Sequence, residues 1–137
     1  MKLDTTTHLD ADQAEIFARV SDPRAFAAIS DKIVVSEAGP EAWTMNAEMN
    51  GAPVEADLTR TECVAPDRVS YLATAQGLEI TIGFDVEPAG TGSDLRVTVD
   101  FAGASMKGKM LMQGLKLMAP KMQSGLERMV AKLAAAA

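Results

Sequence analysis

Between residues 33 and 102 the chain alternates apolar and polar side chains, and after residue 105 the alternation gives way to a three-and-four spacing. That switch in period from 2 to 3.6 restricts the fold more than any other feature of the chain. Trp43, Met45, Ala47 and Met49 fall on one side of an extended segment, with Thr44, Asn46 and Glu48 on the other. Val54, Ala56 and Leu58 alternate with Glu55, Asp57 and Thr59; Leu78, Ile80, Ile82, Phe84 and Val86 alternate with Glu79, Thr81, Gly83 and Asp85. Leu95, Val97, Val99 and Phe101 do the same against Arg96, Thr98 and Asp100. Strands are expected over 2–9, 32–38, 42–50, 53–63, 68–76, 78–87 and 94–102, each with one wet and one dry face. Gly39-Pro40, Asn50-Gly51, Ala65-Pro66-Asp67, Gln76-Gly77 and the 88–92 stretch separate the later strands. Such links are too short for a crossover helix, so the sheet is an antiparallel meander.

A dry face has to be covered, and only the last segment is long enough to cover it. From Met106 onward, Leu111, Leu115, Met118, Met122, Leu126, Met129 and Leu133 form a helical stripe, with Ser105 as N-cap and a kink expected at Pro120. Ahead of the sheet, Asp10 and Gln13 have the spacing of a capping box before a helix that carries Ile16, Phe17 and Val20. Asp22-Pro23 opens a second short helix with Phe26 and Ile29 on its apolar face. The expected fold is one α+β domain over 1–137: a curved antiparallel sheet of about seven strands around a long C-terminal helix, with two short helices after the first strand.

Composition narrows the function classes. No apolar run reaches the roughly 18–20 residues a membrane span needs, and the opening MKLDTTTHLDADQ lacks the apolar core of a secretory signal. A cytoplasmic location is therefore expected. Cys63 is the only cysteine, so no internal disulfide forms and no metal-ligand spacing exists. The net charge of −6 argues against nucleic acid as a partner. From Ser105 onward, Lys107, Lys109, Lys116, Lys121, Arg128 and Lys132 face a single acid, Glu127, leaving +5 there and −11 on the rest. A cationic helix of this kind either docks on lipid headgroups or is simply solvated and drawn to its own sheet.

The order of elements, with HLDADQAEIFARVSDPRAFAAI over residues 8–29, resembles the START-like (SRPBCC) superfamily. This is the helix-grip fold of birch-pollen-allergen-like proteins, polyketide cyclases and the carbon monoxide dehydrogenase G-like proteins. The resemblance covers nearly the whole chain and rests on pattern, with no catalytic motif. It implies an apolar or amphipathic ligand, such as a lipid, quinone or polyketide-like molecule, gripped between sheet and helix. Some members catalyse cyclisations or hydrolyses there; others carry a ligand or assist a partner protein.

Six of the nine methionines lie in the closing helix. Methionine adapts to ligand shape, but it also fills gaps in a solid core, and the resemblance favours the cavity. Its expected lining is Trp43, Met45, Met49, Ile82, Phe84, Phe101, Leu111, Leu115, Met118 and Met122. Strand register places Arg60 and Tyr71 inward, where they would anchor a carboxylate, hydroxyl or carbonyl. The structural alternative gives Arg60 back to solvent through a bulge and satisfies the Tyr71 hydroxyl on backbone; if Arg60 stays inward, Glu62 is its candidate partner. GASMKGKM at 103–110 matches a phosphate loop except that Met110 stands where Ser or Thr must hold magnesium. His8 is expected to face solvent, and Cys63 beside Glu62 is no activated thiol. No metal or cofactor is implied. The chain reads as a ligand-binding module, alternatively as a cyclase- or hydrolase-type enzyme using the same cavity, or as an interaction protein docking through its basic helix, in each case as a monomer or weak homodimer.

Overall fold

The computed structural model describes residues 1–28, 33–49 and 52–135, with backbone alone at 28, 49 and 133–135. Ile29, the Asn50-Gly51 turn, the Met49 and Leu133 side chains and the final two alanines lie outside the described residues. Seven strands form one antiparallel sheet: β1 (Lys2–Leu9), β2 (Val34–Gly39), β3 (Ala42–Met49), β4 (Ala52–Val64), β5 (Arg68–Ala75), β6 (Leu78–Ala89) and β7 (Gly92–Gly103). Their order, β1-β7-β6-β5-β4-β3-β2, is a meander whose first strand closes beside its last. Between β5 and β6 the chain turns on Gln76 (φ 52°) and Gly77 (φ 78°), the double positive φ of a type I′ two-residue hairpin.

Helix α1 (Gln13–Val20) buries Ile16, Phe17 and Val20. Its cap is Asp12, which accepts the Glu15 N–H; the expected Asp10–Gln13 box does not form. Gln13 is drawn away instead, donating its amide to Asp67 and to the Val86 carbonyl. A 3₁₀ segment, Pro23–Ala28, follows, with the Asp22 carboxylate accepting the Arg24 N–H.

The closing segment is two helices, α2 (Met106–Leu117) and α3 (Ala119–Ala135), parted at Met118. Pro120 has no N–H to give the Lys116 carbonyl, and its ring crowds that carbonyl, so one continuous helix cannot run through it undisturbed. Placed in the first turn of a new helix, the same proline costs nothing. Ser105 caps α2 as expected, its hydroxyl accepting the Gly108 N–H. Helix α2 lies against β7 and β6, while α3 lies against β1 and the 3₁₀ segment. The inward stripe differs from the one expected: Met112 and Val130 are buried, whereas Met118 and Met129 are 42% and 46% exposed. The break at Met118 re-phases α3 relative to α2, which a single periodic stripe does not anticipate. No helix among the described residues is long and apolar enough to cross a membrane.

Candidate functional site in the grip

The dry face of the sheet is not buried evenly. Toward α1, Val69, Phe84 and Val97 stand in register across β5, β6 and β7, with Val86 opposite Leu95 in the next row. All five are no more than 5% exposed. Phe26 from the 3₁₀ segment joins them, its ring 5.8 Å from those of Tyr71 and Phe84. The Tyr71 and Trp43 rings meet edge-to-face at 6.3 Å. This end is a filled core.

Further along the same face, Ile80, Ile82 and Val99 are only partly buried and pack at the margin of that core, as does Leu126 from α3. Beyond them Met45, Ala47, Val54, Ala56 and Phe101 are half-buried on the sheet side, and Leu111, Leu115 and Met122 are half-buried on the helices. A fully buried side chain of this size contributes about 1.5–3 kcal/mol. Leaving this many half-covered forgoes several kcal/mol, on the order of what an apolar ligand would recover by lying there.

Trp43 and Phe84, expected as lining, belong to the filled end, both buried. Met118 points outward and the Met49 side chain is not described. Ile80 and Val99 lie on the dry face that their alternation with Thr81 and Thr98 predicts, although they are not among the expected lining residues. Leu126 likewise was visible only as one member of the helical stripe.

Tyr71 and Arg60 sit where the filled end meets α1. The Tyr71 hydroxyl donates to the Val20 carbonyl at 2.7 Å and the residue is wholly buried. Arg60 stays opposite Tyr71 in the ladder, and the register shift falls between Arg60 and Glu62, so Glu62 pairs with outward-facing Ser70. The extra residue, Thr61, thus sends Arg60 and Glu62 to opposite faces. Arg60 therefore pairs with Glu41, through Nη2 at 3.0 Å and Nε at 3.3 Å, and donates through Nη1 to the Ser21 carbonyl at 2.9 Å. Glu62 takes Arg68. The Arg60 guanidinium also lies 5.5 Å from the centre of the Trp43 ring. Its hydrogen bond holds the Glu41 carboxyl below the usual carboxylate range and raises the arginine further.

Tyr71 is the only tyrosine and the only titratable side chain among the described residues that is fully buried. Burial pushes its phenol well above the ordinary value, with the Arg60 charge opposing the shift. A folded pKa above the unfolded one, about 10, means this contribution is intact below pH 10 and lost as pH rises past it. Phenolate absorbance at 295 nm should therefore stay flat until near-ultraviolet circular dichroism collapses. A reversible phenolate step near pH 10 with the fold intact would contradict this burial.

Elsewhere, His8 is exposed on the outer face, with Nδ1 2.8 Å from Asp94, and Cys63 is exposed. A shallow depression of about 370 Å³ lies on the wet side between Glu55, Asp57, Thr74, Glu79 and Ala104, a polar lining unsuited to an apolar guest. No group of three metal-ligating side chains occurs among the described residues.

Comparison with known proteins agrees with this architecture. A family model described as polyketide cyclase / dehydrase and lipid transport matches residues 1–136. No curated protein matches the chain. Among solved structures, TTHA0849 from Thermus thermophilus superposes with a TM-score of 0.80 at 13% identity, over 99% of this chain and 96% of that one. Ara h 8.0201 gives 0.69 at 12% identity, over 99% and 97%. A START superfamily protein from Mycobacterium smegmatis gives 0.62 at 15%, over 93% and 97%. At these identities the likeness is one of fold.

Proposed function

The chain belongs to the polyketide cyclase, dehydrase and lipid-transport family, and on that premise we propose that it binds a small apolar or amphipathic molecule in the half-covered end of the grip. The observation that carries this reading is the fall in burial along one continuous apolar face, from 0% at Tyr71 and 1% at Val86 to only partial burial at Met45, Ala56 and Phe101. The proposed contacts are Met45, Ile80, Ile82, Val99 and Phe101 from the sheet, and Leu111, Leu115 and Met122 from the helices. Trp43, Tyr71 and Phe84 form the floor against which the ligand stops. Arg60 and Tyr71, whose polar atoms are engaged by Glu41, Ser21 and Val20, hold α1 to the sheet and shape that floor.

The family description also supports a second reading, cyclase- or dehydrase-type chemistry in the same place. General acid–base catalysis needs a titratable group at the reacting atoms. The half-covered surface offers methionine, isoleucine, leucine, valine, alanine and phenylalanine among its described residues, which favours carriage over chemistry. A further role for the C-terminal helices, contact with an anionic surface, is supported by a different set of side chains on the outer face of α2.

Titration with a fluorescent fatty acid, alongside native mass spectrometry of the purified protein, tests the proposal. Saturable one-to-one binding, competed by unlabelled fatty acid, is expected. Absence of any saturable site, with no co-purifying mass, would remove it.

A further inference from the structure

Helix α2 is apolar on two opposite sides. Gly108, Leu111, Met112 and Leu115 turn toward the sheet. On the other side Met106, Met110 and Leu117 are 79%, 70% and 86% exposed, and at 3.6 residues per turn they fall within about 40° of one another. A surface helix ordinarily turns a polar face to water; here the outward centre carries a ridge of three long apolar side chains, interrupted only by the exposed Gln113 between Met110 and Leu117. Lys109 and Lys116 run along one edge of that ridge and Lys107 along the other, and Met106–Leu117 contains no acid. None of these lysines is in an ion pair among the described residues, so their charge faces outward uncompensated. Past the helix break, Met118, 42% exposed, and Lys121 add one more apolar and one more basic side chain to the surface.

We propose that this face of α2 docks onto anionic lipid bilayers, with the methionine and leucine tips among the acyl chains and the lysine ammonium groups among the phosphates. An apolar ridge edged by lysines is the arrangement of a helix lying in a membrane interface. Charge complementarity selects the lipid. The rest of the chain carries −11 against +5 beyond residue 104, so an anionic bilayer repels the body and attracts this end, which orients the approach. A symmetric dimer through the same ridge would instead bring two sets of lysines together. The docking does not depend on what the grip holds.

Flotation of the full chain with phosphatidylcholine vesicles, plain or containing about one-third phosphatidylserine, tests it. The chain is expected to float with the anionic vesicles alone and to be released by high salt. Binding should fall about tenfold or more both in the Met106→Ser/Met110→Ser/Leu117→Ser variant and in the Lys107→Glu/Lys109→Glu/Lys116→Glu variant, with melting temperatures unchanged. Three results would each overturn the proposal. One is a wild-type chain that stays with the unbound fraction; another is two triple variants that float like wild type. The third is a wild-type dimer that the serine variant converts to monomer, which would assign the ridge to a second copy.

Discussion

Gly108→Ala should destabilise the protein by about 3 kcal/mol or more and unseat α2 from the sheet, although alanine is the better helix former. A Cβ at Gly108 would overlap the carbonyl oxygen of Gly77 and stand 2.5 Å from its carbon. That carbonyl is fixed, because it accepts the Ala104 N–H at 2.8 Å and belongs to the β5–β6 turn, where Gly77 itself has φ 78°. The obstacle is backbone, so no rotamer change relieves it. The helix-propensity gain from glycine to alanine is only about 1 kcal/mol, and the clash outweighs it. Gly114, six residues on in α2, is the internal control: a Cβ there meets nothing within 4 Å. Gly114→Ala should therefore stabilise by up to about 1 kcal/mol. Chemical denaturation of both variants measures the pair. Equal signs would mean that α2 is not seated against the β5–β6 turn.

That pair also explains the glycines of GASMKGKM without a nucleotide. Gly103 and Gly108 permit close backbone approach where the sheet hands over to the helix, and Ser105 caps the start. The sequence carried their spacing but not their neighbour, since Gly77 lies 31 positions away from Gly108 and only the hairpin brings it there. The same division runs through the rest of the chain. Strand bounds and the dry face were legible because alternation is a local property repeated from strand to strand. Helix α1 was legible by its apolar triad, yet its cap was displaced because Asp67 and Val86, distant in sequence, claim Gln13. Glu41 was not foreseen as the partner of Arg60, since one bulged residue reverses the face on which Glu62 emerges. Nor does periodicity say how completely a dry face is covered. That depends on where α2 and α3 come to rest, which the proline-directed break at Met118 decides.

Coverage is what Ala56→Phe and Ala73→Phe measure against each other. Both alanines face inward: Ala56 pairs with Met45 across β3 and β4, and Ala73 pairs with Leu58 one row nearer the core. Ala73 is 3% exposed and belongs to the filled cluster, so a phenyl ring there has no space. It should cost about 3 kcal/mol or more, the upper end of overpacking. Ala56 lies at the half-covered end. A ring there buries apolar area that water now reaches, worth about 1.5–3 kcal/mol at full burial, against a smaller repacking penalty. The net change in stability should be within about 1 kcal/mol of zero, while fatty-acid affinity falls about tenfold or more because the ring occupies the ligand's place. Unfolding midpoints and probe titration together separate the outcomes. If Ala56→Phe proved as damaging as Ala73→Phe, the grip would be solid at both ends and have no room for a guest. A tolerated ring that left binding untouched would instead move the ligand away from this surface.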